Sequence, residues 1–239
     1  MNNLILAIKD FFTFRFLAFS FVPLIVSSLI FIIIFKFFIN YITNIDFNEE
    51  AFSFFLGIYI LHALQILIFI LGNVFGAYLS VNLSIIFALI IISFLTPLIV
   101  KAINLKHYNY NKLDEVSFSY TCWMIFKLFM KFGFLLFCVL ISYLIPIINI
   151  FSSIFLFFLM FYLFFNLLMI DVASCVLNKN DFLKFNPLKF HYIMWVFLFY
   201  LICNIPWIGF FLPVFIVIFL THLMYQKELL VKSMLIDYK

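Results

Sequence analysis

Three ionisable side chains lie in or at the ends of long apolar stretches, where a charge is costly and often functional. Arg15 precedes the first stretch, and its planar guanidinium can hold an oxyanion through paired charge-assisted hydrogen bonds. His62 lies inside the second stretch and is a candidate proton or gating group. Asp171 ends a later stretch and could pair with a lysine or gate a path. The structural alternatives are a topology-setting cation for Arg15 and an ordinary interfacial acid for Asp171.

The sequence contains no recognisable pattern for metal, nucleotide or covalent chemistry. Its four cysteines are scattered without a CxxC spacing, its four histidines are far apart along the chain, and HExxH is absent. A phosphate-binding P-loop is absent too, and no catalytic serine or cysteine arrangement is recognisable. We therefore expect no enzyme activity, no cofactor, no metal site and no nucleotide-driven pumping.

Composition places the chain in a membrane. Hydrophobic residues make up 68% of the 239 residues, charged residues only 10%, and the mean hydropathy is +1.28. Such a chain cannot cover a soluble surface with charge. Runs such as residues 30–35 are apolar on every side, so helices must satisfy the backbone in lipid, and the predicted fold class is all-α. The modest net charge of +4 suits contact with lipid headgroups and implies no nucleic-acid partner.

Two later apolar stretches, residues 131–170 and 189–226, are each interrupted near the middle by a proline. Proline removes a backbone donor and clashes with the preceding turn, and an Asn or Gly three residues later tolerates a left-handed turn. The predicted turn residues are Pro146 and Asn149 in the first stretch and Pro206 and Gly209 in the second. Each stretch is therefore predicted to form a helical hairpin. Paired broken helices indicate an ion or substrate path, with a passive structural hairpin as the alternative.

Charge placement predicts the topology of a single membrane domain, residues 1–239. The loop with Asp46, Glu49 and Glu50 has no lysine and is predicted outside, whereas the lysine-rich later segments and both termini are predicted inside. The uncharged arms before the two prolines are shorter than the roughly twenty residues that a full crossing needs. We expect the hairpins to penetrate partly from the cytoplasmic side, with two tilted full spans as the alternative. The predicted segments are the first span and outer loop (1–50), a long second helix (51–100), a cytoplasmic segment (101–131), the first hairpin (132–170), a cytoplasmic loop (171–192), the second hairpin (193–226) and a cytoplasmic tail (227–239).

Small residues at helical spacing mark one face of the predicted second helix. These residues are Gly72, Gly76 and Ser80. A small-residue face lets another helix approach closely. We expect it to serve packing within the chain, with a dimer seam as the alternative.

Several motifs resemble those of a known family. Residues 144–148 (LIPII) and 204–213 (NIPWIGFFLP) resemble the turns of two hairpins in that order, and residues 168–171 (LMID) resemble the end of the helix between them. Arg15 before residues 22–26 (VPLIV) resembles the entry to the first span. On these motifs the chain resembles the CysZ-type sulfate permeases, which are related to the eukaryotic etoposide-induced membrane proteins.

This resemblance implies a fold and a function. It implies two membrane-spanning helices and two half-penetrating hairpins, a homo-oligomer whose packing forms a pore, and uptake of sulfate through the bacterial inner membrane for sulfur assimilation. The combined prediction is an inner-membrane permease or channel for a small oxyanion, with sulfate as the leading candidate. The alternatives are a non-transport membrane scaffold or lipid-interacting protein, and a transporter of another small solute.

Overall fold

Helices make up the structure. The computed structural model describes residues 3–43, 57–143, 145–205 and 208–230, and within these ranges every regular element is a helix. The predicted all-α class is confirmed. The helices are α1 (Asn3–Phe11), α2 (Phe14–Thr43), α3 (Gly57–Ile103), α4 (Phe118–Ser142), α5 (Pro146–Val176), α6 (Lys179–Lys184), α7 (Phe190–Cys203) and α8 (Ile208–Met224). Two π-helical segments, Asn104–Tyr108 and Tyr225–Leu230, extend α3 and α8.

The helices α2 and α3 pack along each other and contain 30 and 47 residues. At about 1.5 Å per residue, α3 is roughly 70 Å long, more than twice the roughly 30 Å hydrocarbon core. A Cβ added to Gly76 of α3 would lie 3.0 Å from the Cβ of Phe38 on α2. The predicted use of the small-residue face in packing within the chain is therefore confirmed at Gly76. The acidic residues of the predicted outer loop, Asp46, Glu49 and Glu50, lie outside the described residues.

The first hairpin consists of α4 and α5, which pack against each other. α4 ends at Ser142, and α5 begins at Pro146, a first helical position where the missing N–H breaks no helical hydrogen bond. Near the turn, the hydroxyls of Ser142 and Ser152 are hydrogen-bonded at 2.6 Å. The left-handed backbone predicted at Asn149 is wrong, because Asn149 lies inside α5 and its N–H donates to the Ile145 carbonyl at 2.8 Å. Proline starts the second helix directly, so Asn149 lies in the first turns of α5 and needs no left-handed conformation.

The second hairpin consists of α7 and α8, and Pro206 in its turn lies outside the described residues. The left-handed backbone predicted at Gly209 is also wrong. Gly209 has no positive φ, and its N–H donates to the Ile205 carbonyl at 2.8 Å. A Cβ at Gly209 would lie 1.8 Å from the carbonyl oxygen of Cys203, the last residue of α7. Glycine is needed here because two helix ends approach closely.

Four helices of the described residues are long and apolar enough to cross a membrane, by length and composition. They are Phe14–Tyr41, Tyr59–Tyr108, Phe118–Ser142 and Phe151–Val176. The chain is thus a multi-pass membrane protein. The helices α7 and α8, with 14 and 17 residues, are about 21 and 25 Å long, short of the roughly 30 Å core. Partial penetration therefore suits the second hairpin, whereas α4 and α5 are long enough for the alternative of full crossing, and the number of spans stays a prediction.

The helix α8 lies at the centre of the bundle and contacts α1, α2, α3, α5 and α7. Its residues from Val214 to Met224 are buried. By contrast, large apolar side chains on α2 and α3, such as Ile33 and Val74, are about two-thirds exposed, at 66% and 65%. In a membrane these faces contact lipid or another apolar surface. The ends of α1, α3 and α8 meet at one end of the bundle, where Asp10 and His222 are buried side by side.

Candidate functional site

A cavity of about 1040 Å³ lies between the second half of α3, the segment 109–117, α4 and the end of α5. Its polar lining comprises Ser93, Lys101, Asn104, Asn111, Lys112, Glu115, Thr121, Asp171 and Ser174. Aromatic side chains of α3 and α4, such as Phe94 and Phe129, line the apolar part. Small-molecule sites commonly have volumes of about 300–1,000 Å³, so this cavity has room for a hydrated small ion.

Asp171 reaches the cavity from the last part of α5. Its side chain is buried, and the Ser93 hydroxyl on α3 donates a hydrogen bond to its Oδ2. The Ser174 hydroxyl, one turn later on α5, donates to the Asp171 carbonyl oxygen at 2.9 Å. Because Ser93 and Asp171 are on different helices, their hydrogen bond fixes α3 against α5 at the cavity wall. The partner that the structure shows for Asp171 is a hydroxyl, where the sequence suggested a lysine.

Two lysines bring positive charge to the same cavity. Lys112 Nζ donates to the Ser174 carbonyl at 2.7 Å, at the carboxyl end of α5, where the helix dipole favours a cation. Burial lowers the pKa of Lys112, although the neighbouring Cys175 and Glu115 oppose this shift. Lys101, near the end of α3, is exposed in the cavity wall. The wall thus contains one lysine that is fixed to the backbone and one whose ammonium group is accessible.

The segment 109–117 closes one side of the cavity and is held by amide side chains. Asn104 pairs with the backbone of Tyr110: its Nδ2 donates to the Tyr110 carbonyl at 2.8 Å, and its Oδ1 accepts from the Tyr110 N–H at 2.9 Å. Asn178, after α5, donates to the Tyr110 hydroxyl at 2.7 Å and accepts from the Leu113 N–H at 3.1 Å. Asn109 has a φ of 48°, a left-handed conformation that asparagine tolerates better than most residues. The lining of the cavity is therefore positioned by specific hydrogen bonds.

A second polar group, which we name the Asp10 cluster, comprises Asp10, Lys106, His107, Tyr108 and His222. Lys106 Nζ lies 2.6 Å from Asp10 Oδ1, and the Nε2 atoms of His107 and His222 lie 2.8 and 3.0 Å from Asp10 Oδ2. The Tyr108 hydroxyl lies 2.8 Å from His222 Nδ1. The three consecutive residues 106–108 belong to the π-helical segment that follows α3, and such segments often occur at functional sites. The cluster joins α1, the end of α3 and the end of α8.

The charge of Asp10 is stabilised within the cluster. The Asp10 side chain is 1% exposed, and burial alone would raise its pKa. Hydrogen bonds from Lys106, His107 and His222, together with the charge beside it at His107, outweigh this burial and hold the pKa of Asp10 below its ordinary value. A carboxylate with this many donors therefore stays charged although it is buried, and a charged carboxylate can bind a cation.

The three ionisable residues proposed from the sequence do not lie in one site. Asp171 lines the cavity. Arg15 is exposed in the first turn of α2, with its guanidinium carbon 5.9 Å from the centroid of the Phe19 ring. His62 is exposed near the start of α3, roughly 60 Å along that helix from Lys101 at about 1.5 Å per residue. Of the three, the structure joins only Asp171 to the cavity.

Sequence reasoning missed the Asp10 cluster and the two cavity lysines. It expected no metal-ligand set because the histidines are far apart along the chain, but folding places ligand atoms of Asp10, His107 and His222 within 4.8 Å of one another. The available signal was that Asp10 and His222 are ionisable residues beside apolar runs. Nothing in one sequence pairs them, since 212 positions separate the two residues.

Most of the chain matches the model of a known protein family. A family model described as sulfate transporter CysZ/etoposide-induced protein 2.4 matches residues 3–191. This match confirms the resemblance seen in the motifs. No curated protein and no solved structure matches the chain. The matched range includes the cavity wall on α3, α4 and α5, and it ends before α8 and His222.

Proposed function

The chain belongs to the sulfate transporter CysZ/etoposide-induced protein 2.4 family, and from this membership we propose that it passes a small oxyanion, with sulfate as the leading candidate, through the bacterial inner membrane. The observation that carries the proposal is the accessible ammonium group of Lys101 in the wall of the cavity. A cation in a cavity with low-dielectric walls raises the local concentration of anions. Lys112 adds a second positive charge nearby.

The cavity suits passage better than tight binding. Acidic side chains, Glu115 and Asp171, share its lining with the lysines, and about 1040 Å³ is far more than one sulfate fills. Tight oxyanion sites surround the anion with donors at hydrogen-bond distance. A wide cavity of mixed charge attracts an anion without retaining it, as conduction requires. We propose that Lys101 draws the anion in and that Asp171, held by Ser93, limits its passage as a gate.

We propose an orientation from the charge distribution and an assembly from the family resemblance. The lysine-rich ends of the helices are proposed to face the cytoplasm by the positive-inside rule, together with both termini, so the cavity opens to that side. Arg15 remains the proposed anion contact at the entry to α2, where the helix dipole adds positive potential. His62, at the far part of α3, remains a proposed gating group on the other side. The conducting path is proposed to form in a homo-oligomer.

The decisive experiment is uptake of labelled sulfate into liposomes that contain the purified protein. We expect saturable uptake. Sulfite or phosphate should inhibit it more strongly than chloride does. The variant Lys101→Gln should reduce the initial rate about fivefold, because a lost charge contact of about 1 kcal/mol corresponds to that factor. The matched control is Lys184→Gln, which removes the same charge from an exposed position on α6 outside the cavity.

Two outcomes would contradict the proposal. Uptake no faster than in empty liposomes, from protein that elutes as a single folded species, would favour the scaffold or lipid-interacting alternative. Equal loss of uptake in Lys101→Gln and Lys184→Gln would mean that net charge, and not the cavity, controls the flux. Arg15→Gln tests the proposed entry contact in the same assay. An unchanged rate would favour the alternative that Arg15 is a topology-setting cation.

A further inference from the structure

Three side chains from separate parts of the chain converge in the Asp10 cluster with the chemistry of a metal site. Asp10 supplies a carboxylate, and His107 and His222 supply imidazoles, from α1, the segment after α3 and the end of α8. Two imidazoles and one carboxylate form a common ligand set for first-row divalent metals. We propose that Asp10, His107 and His222 bind one such ion, for which Zn²⁺ is the probe, and that the ion fixes α1 to the ends of α3 and α8.

The distances between the ligand atoms fit such an ion. With bonds of about 2.0–2.1 Å, neighbouring donor atoms lie about 2.9 Å apart at octahedral angles and about 3.3 Å apart at tetrahedral angles. Asp10 Oδ2 already lies 2.8 Å from His107 Nε2 and 3.0 Å from His222 Nε2. All the ligand atoms lie within 4.8 Å of one another. The two imidazole nitrogens are at most 4.8 Å apart, and His107, with a side chain 24% exposed against 0% for His222, is the less enclosed of the two.

The neighbours of the three ligands hold them in a suitable orientation. The Tyr108 hydroxyl lies 2.8 Å from His222 Nδ1. When the ion takes the place of the Nε2 proton that Asp10 accepts, this hydroxyl can accept a proton on Nδ1 instead, and Nε2 then binds the ion. Lys106 Nζ bonds Asp10 Oδ1, so Oδ2 is the carboxylate oxygen that faces the imidazoles. The Lys106 side chain is 50% exposed, and water screens its repulsion of the ion. Outer partners of this kind orient ligands in known metal sites.

Burial distinguishes this group from an ordinary surface cluster. Asp10 and His222 are 1% and 0% exposed in their side chains, whereas His107 connects them to solvent. The ion therefore has an entry path beside two fixed ligands. Because α1 has only 9 residues, a bond through Asp10 would contribute strongly to holding it against α8.

Titration of Zn²⁺ into untagged, chelator-treated protein in detergent tests the proposal. Calorimetry and elemental analysis should give one Zn²⁺ per chain. His107→Gln and His222→Gln should each weaken binding about a hundredfold or more, and Tyr108→Phe about ten- to a hundredfold. The matched control is His191→Gln, which removes a histidine of α7 outside the cluster and should leave affinity unchanged. X-ray absorption on the Zn²⁺-loaded protein should show imidazole nitrogens at about 2.0–2.1 Å.

The proposal is overturned by any of three results. These are no saturable Zn²⁺ binding, equal affinity in the wild type and in His107→Gln, or a coordination shell without imidazole. Where His222→Gln fails to fold, His107→Gln keeps the test valid, because His107 is partly exposed and its replacement leaves Asp10 paired with Lys106 and His222. Any of these results would make the cluster a hydrogen-bonded structural group. The proposed sulfate passage is tested independently, by the liposome uptake assay.

Discussion

Replacing Gly209 by alanine should destabilise the protein, because the backbone of α7 occupies the space that the new methyl group needs. A Cβ at Gly209 would lie 1.8 Å from the Cys203 carbonyl oxygen and 2.7 Å from its carbonyl carbon. An ordinary carbon–oxygen contact is about 3.3 Å, so one helix end must move by about 1.5 Å. Such overpacking costs about 3 kcal/mol or more, and the better helix propensity of alanine returns about 1 kcal/mol. The net loss is about 2 kcal/mol.

Two other helical glycines provide matched controls for this substitution. A Cβ at Gly133 of α4 meets no atom within 4 Å, so Gly133→Ala should stabilise the protein by about 0.5–1 kcal/mol through helix propensity alone. A Cβ at Gly76 would lie 3.0 Å from a side-chain atom of Phe38, which can shift, so Gly76→Ala should fall between the other two. The three variants differ in what the methyl group meets, while the chemical change is the same.

The assay is thermal unfolding in detergent. Its readout is the fraction of protein that remains monodisperse after heating. For a chain of this size, about 1 kcal/mol corresponds to roughly 2–4 °C. We expect Tm to fall by about 4–8 °C in Gly209→Ala and to rise by about 1–4 °C in Gly133→Ala. Equal Tm values in the three variants, or the highest Tm in Gly209→Ala, would refute the close approach of α7 and α8.

Three further predictions concern the cavity. Lys101→Gln should reduce sulfate uptake about fivefold relative to Lys184→Gln, measured as initial rates in liposomes. Asn178→Ala should lower the free energy of unfolding by about 1–3 kcal/mol, because it removes the hydrogen bonds that hold the segment 109–117; a Tm equal to wild type would show that this segment does not depend on them. A double-mutant cycle of Ser93→Ala and Asp171→Ala should give a coupling energy of about 1–3 kcal/mol, and additive effects would mean that their hydrogen bond does not join α3 to α5.

Sequence patterns predicted the features that depend on local chemistry. Hydropathy predicted membrane helices, and Pro146 predicted the break between α4 and α5, because a helix readily begins at a proline. The conformation of the turn residues depends on packing instead. Gly209 was predicted to allow a left-handed turn, but the structure needs glycine there because the Cys203 carbonyl lies too close for a Cβ. No local sequence pattern predicts that contact. Lys127 and Lys131 fall in the predicted cytoplasmic segment 101–131, but both lie inside α4, with their ammonium groups over the Trp123 and Tyr162 rings.

The candidate sites were less predictable because they are made by distant contacts. The sequence alone made Asp171 a candidate, because an acid at the end of an apolar run can be recognised without knowing its contacts. The Asp10 cluster could not be predicted, because each of its residues has an ordinary structural interpretation until the fold brings them together. His222 bonds Asp10 across 212 positions, and His107 bonds it across 97. Only the packing of α1 and α3 against α8 makes these contacts.

The Asp10 cluster and the cavity are connected through Tyr108 and Tyr225. Variants that separate their roles must therefore leave this connection intact. The Tyr108 hydroxyl bonds His222, and the Tyr108 ring stacks on Tyr225 with centroids 4.5 Å apart and planes at 16°. Tyr225 in turn lines the cavity. Tyr108→Ala would therefore remove a cluster contact and a support of the cavity together. Tyr108→Phe keeps the stacked ring and deletes only the hydroxyl, so a loss of metal affinity with normal sulfate uptake would assign the hydroxyl to the cluster alone.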